Sequence, residues 1–269
     1  MWIDTHAHLD GREFVAAVGG PPGAGARAAA AGVSMIVIPA VARANFATVA
    51  QIAAATPNAC YGLGIHPMCV PQASDDDLDA LRELAQASLA DPRFVAIGEV
   101  GLDYFIAELC TPEMRAKQER YFRFQLRLAR DLGLPVLTHV RRAQDQVLKH
   151  LRQITPPCGI AHAFNGSFQQ AQSFIDLGFH LGFGGAFTFT RALQIRRLAT
   201  DLPLAALVME TDAPDIAPAW VHPARNSPAF LPGIGNALAQ LRGIDPVDLA
   251  AVTTANARRA IPRLHPLLP

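Results

Sequence analysis

Short apolar runs recur along the chain, separated by longer segments whose apolar residues repeat at helical spacing. That alternation predicts repeated βα units around a parallel sheet. Eight runs read as strands: 2–6 (WIDTH), 34–39 (SMIVIP), 60–65 (CYGLGI), 94–99 (FVAIGE), 135–139 (PVLTH), 159–163 (GIAHA), 180–184 (HLGFG) and 206–211 (ALVMET). Several intervening helices announce their ends. Ser74 precedes DDDLDALRELAQASLA, a cap followed by acidic residues at the positive end of the helix dipole. Thr111-Pro112-Glu113 opens a long helix that Gly133 and Pro135 close, and Ser167 starts FQQAQSFIDLG, stopped at Gly178. Eight such units in 269 residues predict one domain, 1–269, with the α/β fold of a (β/α)8 TIM-type barrel, which commonly uses about 250 residues.

Two stretches interrupt the pattern. In 11–32 (GREFVAAVGGPPGAGARAAAAG) glycine and proline predict a loop followed by a short alanine-rich helix. The segment 213–233 is rich in proline and reads as loop. The apolar pattern resumes directly after each, so neither reads as a linker between domains.

Composition narrows the function classes. A chain that is 51% hydrophobic and 17% charged builds a large core, and no apolar run reaches the roughly 18 residues of a membrane span, so no membrane is expected. The start has neither the basic region nor the apolar stretch of a secretory signal, which predicts a cytoplasmic setting. Cys60, Cys69, Cys110 and Cys158 are widely separated and form no C-x-x-C, so neither a zinc ribbon nor a disulfide framework is expected. A formal net charge of zero excludes a broad basic face for coating nucleic acid but leaves room for a local basic cleft. Only Lys117 and Lys149 are lysines; nearly all positive charge is arginine, whose planar fork suits phosphate and whose face stacks on bases.

In a barrel of this kind the active site lies at the carboxyl ends of the strands. The polar residues there are a selective set: His6 and His8 after the first strand, His66 after the third, Glu99 after the fourth, His139 after the fifth, His162 in the sixth and Asp212 after the eighth. Asp4, His6 and His8 fall on one side of an extended chain by the two-residue period. Imidazoles and carboxylates gathered at one end are the donors that divalent metals use. The remaining histidines lie elsewhere: His150 on a helix, His180 at a strand start, His222 and His265 in proline-bounded loops, and none is given a metal role.

These segments resemble the TatD-related metal-dependent deoxyribonucleases, whose barrel belongs with the amidohydrolase-like enzymes. The resemblance rests on IDTHAHLD, GLGIHP, IGEVGLDYF, LPVLTHVRRA, IAHAFNGS, DLGFHLGFGGAFTF, VMETDAPDIAP, ARNSPAFLP and TTANARR, in that order over nearly the whole chain. It implies two divalent ions (Mg2+, Mn2+ or Zn2+), with His6, His8 and Asp212 on the first, His139 and His162 on the second, and Glu99 bridging them. It also implies a single-stranded DNA substrate degraded from its 3′ end, and no obligate protein partner is evident. The chain departs from the family in reading His139-Val140-Arg141 where His-Ser-Arg is usual, in placing Ile261 where an aromatic is usual, and in its glycine- and proline-rich 11–32.

Two ions about 4 Å apart would lower the pKa of a water and neutralise charge on phosphoryl oxygens. Asp212 is then expected to bind metal and to accept the water proton, and His66 to touch the scissile phosphate or leaving oxygen. Arg141, Asn165 and Arg225 are candidate substrate contacts. Asp103 contacts a substrate base or fixes the loop carrying Glu99, and Asp4 orients the ligands from behind. Two other functions compete: an amidohydrolase-like enzyme acting on a small amide, ester or lactone, and a metal-binding scaffold without turnover. Many amidohydrolase-like sites use a modified lysine as bridge, and neither lysine here lies at a strand end.

Overall fold

The computed structural model describes residues 1–268; Pro269, the last residue of the domain expected from the sequence, lies outside them. Eight parallel strands form one sheet in sequential order: β1 (Trp2–Asp4), β2 (Val33–Pro39), β3 (Ala59–Leu63), β4 (Phe94–Asp103), β5 (Val136–Arg141), β6 (Gly159–Ala161), β7 (Phe179–Phe183) and β8 (Leu207–Met209). Helices alternate with them, as the apolar periodicity predicts. The sheet nearly closes into a barrel, because Thr5 N–H donates to Met209 O at 3.1 Å, Asp212 N–H to His6 O at 2.9 Å and His8 N–H to Ala213 O at 2.7 Å. No helix among the described residues is long and apolar enough to cross a membrane.

Helix ends follow the local chemistry. Thr111 caps Pro112–Leu132 by accepting from Met114 N–H at 3.2 Å, and Gly133 ends it at φ 67°. Ser167 and Gln170 exchange hydrogen bonds at the start of Phe168–Asp176. The expected loop in 11–32 is more helical than its composition implies. A helix runs over Gly20–Ala30, because Pro21 and Pro22 occupy its first turn, where their missing N–H groups cost nothing.

Strand ends differ from the apolar runs at the site. β1, β6 and β8 stop early, as the backbone turns after them; Ala163 and Asp212 take φ of 43° and 58°. β4 instead runs four residues beyond Glu99, because Val100 to Asp103 pair with Thr138 to Arg141 of β5. Glu99 is therefore inside a strand. Gly101, at φ 151°, makes that pairing possible: a Cβ there would lie 2.0 Å from His139 O.

The amino-terminal end of the barrel is packed with Ile3, Met35, Val37, Cys60, Val95, Leu137, Ile160 and Val208. Ala257 and Ala260 of the helix Pro246–Ala260, with Ile261 and Leu264 after it, seal this floor. A larger apolar cluster fills the space between sheet and helices.

Candidate metal centre

The inward face of the barrel changes character in one step of the two-residue period. Leu137, Ile160 and Val208 belong to the floor, and His139, His162 and Glu210 follow two residues later. His6, His66, Glu99, His162 and Glu210 are all buried at this upper level.

Two groups of donors form around Glu99, one at each carboxylate oxygen. Oε2 lies 3.2 Å from His6 Nε2 and 3.5 Å from His8 Nε2. Asp212 Oδ1 joins that group, 3.9 Å from His6 Nε2 and 3.6 Å from His8 Nε2. Oε1 lies 3.0 Å from His139 Nδ1 and 3.3 Å from His66 Nε2. His162 stacks on His6 with ring centroids 3.6 Å apart, and its Nε2 is 3.5 Å from Asp212 Oδ1.

The donor set fits divalent metal. His6 Nε2, His8 Nε2 and Asp212 Oδ1 lie within 4.8 Å of one another, and Glu99 Oε2 faces both rings, the mixed imidazole and carboxylate donors that a divalent cation takes. His139 is also held between two carboxylates. Its Nε2 lies 3.1 Å from the buried Asp103 Oδ2 and its Nδ1 3.0 Å from Glu99 Oε1. His6, His8, Glu99 and Asp212 could hold one ion, with His139 and Glu99 offering atoms to another.

His66 differs. Its Nδ1 accepts from Met68 N–H at 3.0 Å, so the neutral ring keeps its proton on Nε2, the atom that faces the site. It is a hydrogen-bond donor there, despite standing beside Glu99 and His139 in a ligand-like cluster.

Electrostatics follow from burial and pairing. Burial alone would raise the Glu99 carboxyl, but the His66 and His6 rings and the hydrogen bonds from His139 and His6 hold it well below the usual range. Burial likewise disfavours charge on His162, yet Glu210 and Asp212 raise it well above an ordinary imidazole. Asp4, wholly buried, is pushed up to about 7 by desolvation, against hydrogen bonds from Thr211. Asp4 also accepts from His6 N–H at 3.3 Å, tying the first strand to the eighth behind the ligands.

A cavity of about 1170 Å³ opens over these residues; His8, His66, Glu99, His139, His162 and Asp212 line it, as do Arg141 and Asn165. Asp103 is buried behind His139, with Oδ1 accepting from Phe105 and Ile106 N–H, which ties down the loop after Glu99 as the second of its two expected roles asks. Two other expectations from the sequence meet a different arrangement. Arg225 does not line the cavity; it is exposed and pairs with Asp215, which does, at 2.9 Å and with Glu13 at 3.2 Å. His139 and His162 fall into different donor groups, His162 with His6 and Glu99, His139 with His66 and Glu99.

Glu210 was missed by the sequence reading. Its Oε1 accepts from Ala163 N–H at 2.6 Å and lies 3.1 Å from His162 Nδ1, orienting that ring from behind. Gly182 makes the space, since a Cβ there would lie 2.1 Å from Glu210 Oε2. The two-residue period groups Glu210 with Val208, but only the neighbouring strands show that their shared face is the inward one. Lys117 and Lys149 both sit on helices, at Pro112–Leu132 and Gln144–Gln153, so neither supplies a bridge.

Comparison with known proteins points one way. Residues 3–262 match the model of a family described as TatD related DNase. An uncharacterized metal-dependent hydrolase of Haemophilus influenzae is 36% identical over 252 residues, 92% of this chain and 94% of that protein. A Salmonella typhimurium protein named 3′-5′ ssDNA/RNA exonuclease TatD is 38% identical over 240 residues, 87% and 89% of the two chains. The crystal structure of YjjV, a TatD homologue from Escherichia coli, superposes with a TM-score of 0.89 at 34% identity, covering 97% of this chain and 98% of its own.

Proposed function

The chain belongs to the TatD related DNase family, and on that premise we propose that it is a metal-dependent hydrolase of phosphodiester bonds that shortens single-stranded DNA from the 3′ end. The observation that carries the reading is Glu99, whose two oxygens face two separate sets of histidines, the arrangement a carboxylate shared by two ions requires. In this reading 1–269 is one catalytic unit in which His6, His8, Asp212 and Glu99 would hold one ion and Glu99 and His139 a second, with His162, which stands beside His6 and Asp212, as the remaining candidate ligand. Ions held there would supply Lewis acidity, easing deprotonation of a water and neutralising charge on the phosphoryl oxygens.

The chain's own groups do the rest. Asp212, partly open to the cavity and held below the ordinary carboxylate range despite burial, is ionised and accepts the proton of the attacking water. His66 offers its Nε2–H to a phosphoryl or leaving oxygen. Asp103 and Glu210 keep His139 and His162 turned towards the site. Arg141 and Asn165 face the substrate from the cavity wall.

The test is cleavage of a 5′-labelled single-stranded oligonucleotide by the full-length protein with magnesium, manganese or zinc. Stepwise shortening from a free 3′ end, stopped by a blocked 3′ end and by chelator, is expected. Cleavage that continues past the block makes it an endonuclease. No metal-dependent cleavage, together with turnover of an amide, ester or lactone panel, overturns the reading.

A further inference from the structure

A phosphate-directed metal centre does not by itself hold a strand in place, and the cavity wall carries a group unlike the donors. Phe105, just past the end of β4, is 45% exposed, yet it lines the cavity that Glu99 and Asp212 also line. An aromatic ring on the wall of a charged cavity offers a flat face on which a planar group can stack. Two guanidinium groups already lie against it: Arg141 Cζ is 3.8 Å and Arg142 Cζ 4.6 Å from the ring centroid.

The convergence of two consecutive arginines on one ring is not what an extended chain does, since neighbouring side chains on a strand point to opposite faces. β5 ends at Arg141, and Arg142 takes φ 53°, in the left-handed region that non-glycine residues rarely adopt. That turn lets both side chains reach Phe105. Arg142 has no acidic partner within ion-pair distance among the described residues, and Arg141 has only the buried Asp103, 3.9 Å away. Asp103 in turn holds His139, so the aromatic–arginine group is continuous with the donor cluster.

We propose that Phe105, Arg141 and Arg142 form a stacking platform for an unpaired nucleobase of the substrate strand, next to the bond being cut. The base extends the stack that the two guanidinium groups already make on the Phe105 ring, lying on its open flat surface, and the guanidinium charge neutralises the adjoining phosphate. The platform reads a π-face rather than a base edge, so it accepts any base but requires it to be unstacked. This favours single strands over duplexes. The inference rests on the nucleic-acid reading of the metal centre, and it moves Arg141 from a simple phosphate contact to part of an aromatic clamp.

The test measures binding apart from cleavage. A fluorescein-labelled oligothymidylate with phosphorothioate linkages, and the same strand with its 3′-terminal units made abasic, are titrated with full-length protein in magnesium buffer and read by anisotropy. The parent protein should bind the base-bearing strand roughly ten-fold more tightly than the abasic one. Phe105→Ala should erase that preference and Phe105→Trp should keep it. A parent that binds both strands equally, or a Phe105→Ala variant that retains the preference, overturns the platform whether or not the protein cleaves DNA. A base preference that depends on Phe105, in a protein that cuts no nucleic acid, would leave the platform standing and remove the nuclease.

Discussion

The floor and the rim of this barrel are built by the same strands and differ by one step of the two-residue period, the floor fully buried and the rim partly open to the cavity. At the floor Leu137, Ile160 and Val208 pack against Ala257, Ala260 and Ile261. At the rim His139, His162 and Glu210 take the same inward face. Aliphatic side chains gain free energy on burial, of the order of 1.5–3 kcal/mol each. Ionisable groups lose it unless each finds a partner, and here the partners are one another. The floor therefore carries stability and the rim carries function.

Histidine makes the contrast sharpest. On β7, Phe179, Leu181 and Phe183 pack outward among the helices, which leaves His180 on the inward face, in register with Ile160 of the floor. Burial, with Arg259 nearby, lowers His180 to about 4. Two residues on, Gly182 adjoins Glu210, which helps raise His162 in the opposite direction. Burial holds the same residue type neutral at one level, and neighbouring carboxylates favour its charged form at the next.

Changes at each level should separate the two roles. The largest effect is expected from Glu99→Gln, which removes the charge shared by both donor groups: cleavage should fall by about 10³-fold or more, with the folded state intact by circular dichroism. Full activity in that variant would remove Glu99 from the centre. Next, Leu137→Ala in the floor should cost about 2–5 kcal/mol in denaturant unfolding through the cavity it leaves. If it lowered kcat as steeply as Glu99→Gln, the division between floor and rim would fail. Glu210→Gln weakens only the support behind His162, so metal affinity measured by calorimetry should drop about 10–100-fold while thermal stability changes little. An unchanged affinity would leave Glu210 a space-filling residue.

The smallest effect concerns pH. The folded His180 titrates near 4, below the ordinary value of 6.5, so folding favours its neutral ring. The stability it contributes is whole above about 6.5 and is lost as pH falls towards 4. His180→Leu should flatten the stability profile over that window, and urea melts at pH 6.5, 5.5 and 4.5 would reveal it. Parallel profiles for variant and parent would show that folding leaves the His180 pKa unchanged.

Much of the site is legible in one dimension because strand ends can be read from apolar runs. His6, His8, His66, His139, His162 and Asp212 stand at or just past such ends, and Glu99 was found at the end of its own run although its strand continues. What escaped notice depends on direction. Arg225 stands close to Asp212 in sequence yet turns to Glu13 and Asp215. Glu210 was hidden inside an apolar run whose inward and outward positions cannot be told apart without the neighbouring strands.

The sequence by itself determined the alternation of strands and helices, the donor chemistry and the end of the barrel where it gathers, because periodicity and residue type are local properties. Only the tertiary structure decided which oxygen of Glu99 faces which histidines, which nitrogen of His66 keeps its proton, and that Asp4 and Thr211 join the first strand to the last. Those depend on barrel closure and strand register, which bring together residues 207 positions apart, such as Asp4 and Thr211, and so have no signature in any short stretch of the chain.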